Sequence, residues 1–316
     1  MSDILIASQF ESDFNEQLRA HALRPTVIDL SDDRPWEAAG EADVLFVRPT
    51  PTWRANRTLA RPKSWPGRLR WVNSGSVGID PYPGWLLDAP LVTCGRGVSS
   101  EEIADYVLAA IYLQSKDLEA VRARNLSEWK QTALGRVNGT TVGIIGLGAI
   151  GAAVARRAIA AGARVTAARR RRLPSEVEGV ELLDDLAQVV ASADHIVLAV
   201  PATAATRGLV DAALLAHARP HAHLINIARG SVVDQQALLQ ALDAGRLGFA
   251  TLDVTDPEPL PADHPLWTHP LVRLTPHVSS NFTQTRDTMF DRVSANLDRF
   301  AAGETLADIV DPVAGY

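Results

Sequence analysis

Short uninterrupted apolar runs recur along the chain, separated by stretches whose apolar residues fall on one side only. In the first hundred residues ILIAS (4–8), TVIDL (26–30), ADVLFV (42–47), LRWVNS (69–74) and LVTC (91–94) each read as a buried strand. NEQLRAHAL (15–23) carries helical spacing between the first two. Alternation of this kind predicts a parallel sheet covered by helices. The segment 99–124 opens on two serines and two glutamates, a helix start, and keeps apolar spacing for about five turns. It predicts a long helix crossing into a second domain, followed by an irregular arm over 125–139 that contains Trp129 and Gly135.

A second alternation follows. Strands are predicted at 141–146, 163–168, 195–200, 223–228, 248–254 and 272–276, with helices from about 150, at 183–193 and at 234–245. The last helix, 283–302, and the tail ETLADIVDPVAGY read as a return to the first domain, whose sheet otherwise lacks a covering helix. The expected architecture is α/β, with two doubly wound parallel-sheet domains. Residues 1–98 plus 285–316 form the substrate (catalytic) domain. Residues 99–284 form an inserted, Rossmann-type dinucleotide-binding domain. The halves share architecture but no repeated sequence.

Composition changes this picture only at the margins. The 316 residues carry a formal net charge of −6, which argues against nucleic acid as a partner. The single cysteine, Cys94, permits no internal disulfide and points to a reducing compartment. Its place at the end of an apolar strand suggests core packing. Neither a signal peptide nor a membrane-spanning run is legible, so a cytoplasmic, soluble protein is expected. His217, His221 and His223 lie on a helix end, a turn and a strand start without acidic or thiol partners at ligand spacing, so no metal site is expected. Trp53, Trp65, Trp71 and Trp85 cluster in the first domain and read mainly as core.

The chemistry starts at GIIGLGAIG. Gly146, Gly148 and Gly151 stand in G-x-G-x-x-G spacing between a predicted strand and a predicted helix. The first glycine permits the tight turn, the second admits a pyrophosphate, and the third allows close helix–strand packing. Backbone N–H groups at the helix start then face the phosphates. Ala149 and Ile150 in the loop, and Pro201 and Ala228 at later strand ends, complete the expected cofactor-binding set. An NAD site places an acidic residue about twenty positions on, to bind the ribose 2′-OH. Here the chain reads ARRRR, and the nearest downstream carboxylate is Glu176. Guanidinium groups grip a 2′-phosphate that a carboxylate would repel. Arg169, Arg170 and Arg171 therefore point to NADP(H) in preference to NAD(H), with Arg172 beside them.

Three later strands end in reactive groups: NIARGSVVD in Arg229, LDVTDPEP in Asp253 and Glu258, and LTPHVSS in His277. Ligands of open α/β sheets bind outside the carboxyl ends of the strands. There a histidine can donate a proton, a carboxylate can orient it, and an arginine can hold a substrate carboxylate while polarising its carbonyl.

These three blocks resemble the signatures of the D-isomer-specific 2-hydroxyacid dehydrogenases, a family that includes hydroxypyruvate and glyoxylate reductases. The likeness extends to WVNSGSVGID (71–80), similar to that family's substrate loop, and to NLDRFAAGETLADIVDP (296–312), similar to its C-terminal helix and tail. The resemblance implies His277 as acid/base, Glu258 as its partner and Arg229 as substrate anchor. It also implies Asp253 against the nicotinamide amide, and backbone amides around Ser76, Val77 and Gly78 on the substrate carboxylate. It implies a homodimer built through the 99–138 helix and arm. The chain departs from NAD-dependent members at the arginines, where those usually carry aspartate. The expected activity is NADPH-preferring reduction of a small 2-keto acid to the D-2-hydroxy acid. The alternatives are NAD-dependent oxidation by the same residues, or a dinucleotide-sensing protein like the family's corepressors. The complete Arg–Glu–His set favours an enzyme.

Overall fold

The computed structural model describes residues 4–37, 40–170 and 173–311. Residues 1–98 with 281–316 make one compact unit and residues 99–280 another. In the first unit β1 (Leu5–Ser8), β2 (Thr26–Asp29), β3 (Val44–Val47), β4 (Trp71–Ser74) and β5 (Leu91–Cys94) form a sheet of order β2-β1-β3-β4-β5, parallel at every pair. β3 and β4 are buried along their whole length, as apolar runs in a covered parallel sheet must be.

The first helix, α1 (Ser12–Arg19), begins and ends earlier than the 15–23 expected. Phe14 and Leu18, four apart, fill the core, and the chain then leaves through a turn closed by Arg24 N–H on the His21 carbonyl. A five-residue helix, α2 (Pro51–Ala55), carries Trp53 into the interior. Trp53, Trp65, Trp71 and Trp85 are all buried. The C-terminal helix (Phe282–Ala302) does return to this unit. Met289, Val293 and Leu297, each four residues apart, pack with Phe14, Phe46 and Trp71. Beyond it Val310 N–H bonds the Val92 carbonyl, and Ile309 pairs with Thr93.

In the second unit α3 (Ser100–Lys116) precedes, among the described residues, seven strands and four further α-helices. The strands are β6 (Thr141–Ile145), β7 (Arg164–Ala168), β8 (Val180–Leu182), β9 (His195–Leu198), β10 (His223–Asn226), β11 (Phe249–Leu252) and β12 (Val272–Leu274). The helices are α4 (Ala149–Ala160), α5 (Leu186–Ser192), α6 (Ala212–Leu215) and α7 (Gln235–Asp243), so the C-terminal helix is α8. All pairs are parallel in the order β12-β11-β10-β9-β6-β7-β8. From β6 the chain winds outward to β8, returns to β9 beside β6, and winds out the other way. The carboxyl ends of β6 and β9 therefore flank a topological switch point, where such sheets bind ligands.

Ile103, Val107 and Ile111 of α3 pack with Ala153, Val154 and Ala158 of α4, over one face of β6. The small alanines let the two helices approach. The helix expected to run to 124 stops at Lys116, where Asp117, at φ 33°, caps the Leu113 carbonyl. Leu118 and Val121 continue the apolar spacing but remain exposed, so nothing in this unit stabilises further turns. β8 and α6 were not legible, being three and four residues long and largely solvent-facing. Among the described residues no helix is long and apolar enough to cross a membrane.

At the opposite, amino-terminal edge of this sheet His195 and His223 lie edge to face, ring centroids 5.7 Å apart. Burial holds His195 down to about 4 and His223 well below the usual histidine range. Both are neutral in the folded chain and take up protons on unfolding below about pH 6.5. Their contribution is complete above that pH and is lost as pH falls toward 4. For His195 alone this amounts to about 3 kcal/mol at full extent. Urea midpoints should drop between pH 7.5 and 5, and His195→Leu should flatten the dependence. Equal slopes in wild type and variant would refute the assignment.

Candidate active site

Each glycine of the loop after β6 has its own steric reason. Gly146 sits at φ 105°, and a Cβ there would lie 2.5 Å from the Ala199 carbonyl oxygen. A Cβ on Gly151 would lie 2.1 Å from the Gly146 oxygen. One on Gly148 would meet nothing within 4 Å. The first and third glycines thus close the turn and seat α4 against it, while the second presents an open backbone face. Gly148 is the N-cap of α4, with Ala149 and Ile150 in its first turn. A helix start with an open backbone face suits an anion, and the residues fit a dinucleotide pyrophosphate.

β7 ends one residue before Arg169, and the Ala168 carbonyl accepts the Gly146 N–H at 2.9 Å. Arg169 therefore follows directly from the strand that abuts the glycine loop. Its Nη2 donates to the Pro174 carbonyl at 3.1 Å, and Arg170 beside it is exposed. Arg171 and Arg172 lie outside the described residues. Pro201 follows β9, its carbonyl accepting the Thr206 hydroxyl at 2.6 Å, and buried Ala228 follows β10.

The reactive groups sit beyond the carboxyl ends of β10, β11 and β12. Past β10, the Asn226 side chain accepts from Ala228 N–H and donates to the Arg229 carbonyl, both at 3.0 Å, fixing the turn that presents Arg229. A Cβ on Gly230 would lie 1.9 Å from the Thr255 carbonyl carbon, so only glycine lets this turn meet the loop after β11. Gln235 of α7 bonds both the carbonyl and the N–H of Asp256, steadying the loop that leads to Glu258.

His277 Nδ1 lies 2.8 Å from Glu258 Oε1. Against a carboxylate Nδ1 must carry its proton, which leaves Nε2 to exchange one. The two side chains are 28% and 29% exposed, so the pair is accessible yet partly shielded. His277 itself stands at φ 54°, a left-handed conformation that costs a non-glycine residue about 1–2 kcal/mol. Asp253, 1% exposed, holds it there. Its backbone carbonyl accepts the His277 N–H at 2.9 Å, and its carboxylate accepts from Thr275 Oγ1, Val278 N–H and Ser279 N–H at 2.6, 2.8 and 2.9 Å. Sequence reasoning singled out Asp253 but missed Asn226, Gln235 and Thr275. Only Thr275, two residues before His277 in LTPH, offered any signal.

In the first unit Ser76, Val77 and Gly78 follow β4. The Ser74 hydroxyl lies 3.1 Å from both the Ser76 and Tyr82 hydroxyls, and Ser76 Oγ donates to the Gly78 carbonyl at 2.7 Å. Burial raises the Tyr82 phenol above its ordinary range, so it remains a neutral partner in this network.

A glycine loop at the switch point, with a histidine–carboxylate pair and an arginine along the same edge, has the layout of a dinucleotide-dependent oxidoreductase. The family model described as "D-isomer specific 2-hydroxyacid dehydrogenase, NAD binding domain" matches residues 107–279, and the chain belongs to this family of NAD(P)-dependent enzymes. It is 34% identical over 298 residues to glyoxylate/hydroxypyruvate reductase A of Serratia proteamaculans, covering 90% of this chain and 89% of that one. It is also 34% identical to D-3-phosphoglycerate dehydrogenase of Mycobacterium tuberculosis, over 90% of this chain and 54% of that longer protein. A solved structure of an NADPH-dependent glyoxylate/hydroxypyruvate reductase from Sinorhizobium meliloti, in complex with NADP and sulfate, covers 100% of both chains with TM-score 0.80 and 28% identity.

The loop geometry separates two alanine substitutions. Gly148→Ala should fold normally and weaken dinucleotide binding roughly tenfold, about 1.4 kcal/mol. Gly151→Ala should instead cost about 1–3 kcal/mol of stability through overpacking. Thermal melts and fluorescence titration distinguish them, and a reversed pattern would refute the assigned roles.

Proposed function

We propose that this chain is an NADPH-preferring reductase of small 2-keto acids, glyoxylate or hydroxypyruvate in kind, yielding the D-2-hydroxy acid. The observation that carries this reading is the His277–Glu258 contact beyond the sheet edge that also presents Arg229 and the glycine loop. When bound, NADPH supplies the hydride for the carbonyl carbon. His277 delivers the proton to the carbonyl oxygen from Nε2, while Glu258 accepts from Nδ1–H and fixes the orientation of the ring. Arg229 grips the substrate carboxylate and polarises the adjacent carbonyl. The backbone amides of Val77 and Gly78 serve the same carboxylate, while Ser76, whose N–H bonds Ser74 Oγ at 3.2 Å, shapes the loop that presents them.

Asp253 Oδ2 accepts one hydrogen bond from the protein and keeps capacity for the nicotinamide amide. Gly146, Gly148, Ala149, Ile150 and Gly151 hold the pyrophosphate, with Pro201 and Ala228 along the cofactor. Arg169 and Arg170, with Arg171 beyond them, take the 2′-phosphate, and NADP named in the Sinorhizobium complex supports this choice. The protein works in the cytoplasm as a homodimer joined through 99–138, where Leu126 and Trp129 are 91% and 80% exposed. The equal identity to a phosphoglycerate dehydrogenase favours a second reading, oxidation of a D-2-hydroxy acid with NAD.

Cofactor choice decides between the readings. Losing one charge-assisted contact is worth about 1.5–3 kcal/mol, so Arg169→Ala should weaken NADPH binding roughly ten- to a hundred-fold and leave NADH nearly unaffected. A wild type that prefers NADH, or an NADPH:NADH efficiency ratio unchanged in an Arg169/Arg170 double variant, would sink the NADPH assignment. On the chemistry, His277→Asn should lower kcat by about 10²–10⁴-fold. Glu258→Gln should lower it less, since the histidine remains. A panel of 2-keto acids and simple ketones turned over alike would remove Arg229 as the carboxylate anchor.

A further inference from the structure

The carboxylate of Asp253 is tied to more than the histidine loop. Thr275 Oγ1, which donates to Asp253 Oδ1 at 2.6 Å, lies 2.6 Å from the phenol of Tyr106 in the middle of α3. The direction of these bonds follows from proton count. Threonine has one hydroxyl proton, an ionised carboxylate can only accept, and so Tyr106 must be the donor to Thr275. The phenol suits that role, because burial and the nearby Asp253 charge raise it above its ordinary range and keep it protonated.

We propose that Tyr106 and Thr275 are positioning residues that act through Asp253 to hold the catalytic histidine in its strained, left-handed conformation. This rests on His277 being the acid/base. Left to itself the turn at His277 would relax toward φ below zero, recovering the backbone cost and moving the ring off Glu258. Most bonds that oppose relaxation end on Asp253: His277 N–H is shared between its carbonyl and that of Thr275, and Val278 and Ser279 N–H bond its carboxylate. The position of that carboxylate therefore sets the position of the imidazole. Thr275 fixes it from within the strand end. Tyr106 fixes Thr275 from α3, the helix buried against α4 and hence against the glycine loop. The frame that seats the cofactor cradle is thereby joined to the acid/base by three side chains in series.

The test compares hydroxyl loss with shape loss. Thr275→Val keeps the branched shape and removes the donor; Thr275→Ser keeps the donor and removes a methyl. A displacement near 1 Å at a reacting group costs up to about a hundredfold, so Thr275→Val should lower kcat roughly ten- to a hundred-fold with little change in KM. Thr275→Ser should recover to within about threefold of wild type, and Tyr106→Phe should fall between. The His277 ring-proton NMR signals, read without substrate, should shift and broaden in Thr275→Val and Tyr106→Phe and return in Thr275→Ser. Wild-type kcat and unshifted signals in Thr275→Val and Tyr106→Phe would overturn the proposal, as would a serine variant as impaired as the valine. Should Thr275→Val fail to fold, Tyr106→Phe and Thr275→Ser decide by the same readouts. An active His277→Asn would end the acid/base role instead, and the NMR comparison would still judge whether the relay holds the ring.

Discussion

The structure of the reactive edge depends on one buried carboxylate. Asp253 stands immediately beyond β11, at the end of the strand. Its own N–H bonds the Asn226 carbonyl, which links it to the end of β10, and its other bonds reach the end of β12 and the residues beyond. Burying an ionised group is costly unless it is well bonded, and three donors to the two oxygens meet that requirement. The same three donors spend the carboxylate's charge on fixing a loop. The backbone here would reach β10 with any side chain, but only an acid adds the bonds to the segment beyond β12, which an apolar side chain could not make.

The two ends of the sheet show opposite electrostatics. At the amino-terminal edge His195 and His223 sit buried, and desolvation keeps both neutral. At the carboxyl edge His277 is more open and faces Glu258, an arrangement suited to holding and passing a proton. Identical side chains thus meet opposite environments through burial and partner alone. His223 spans its strand start to Thr251 on the next strand, and His221 pairs with Asp194. Two histidines two residues apart thus meet different surroundings, His221 in the turn before β10 and His223 at the strand's buried start.

Much of this was legible in the residues. Apolar runs such as TVGII and VLFV mark strands covered on both faces, and glycine at 146 and 151 is dictated by contacts of 2.5 and 2.1 Å that any side chain would violate. The three blocks carrying Arg229, Glu258 and His277 could be named because each follows directly from such a run. The failures have a common physical origin. α1 was placed three residues late, and α3 carried eight residues too far, because apolar spacing reports a face that could be buried and not whether anything covers it. β8 and α6 are too short to show a period. Tyr106 was invisible because it lies 169 residues from Thr275. On a helix read for its apolar stripe, one tyrosine looks like any other partly buried ring.

The arginine segment shows what position adds to composition. A run of like charges is ordinarily a solvated turn, and the sequence around 169–172 contains nothing else unusual. Its position follows from Ala168, whose carbonyl receives the N–H of the first glycine and so brings the strand end and the glycine loop side by side. Arg169 is further held through Nη2 to the Pro174 carbonyl, which limits the rotamers its guanidinium samples. An arginine already restrained loses less entropy when it grips an anion than one swinging in water. In the proposed reading this makes the cofactor preference a property of the loop as much as of its charge. A lysine at the same position would keep the sign of the field but lose both the planar fork and the hold on Pro174.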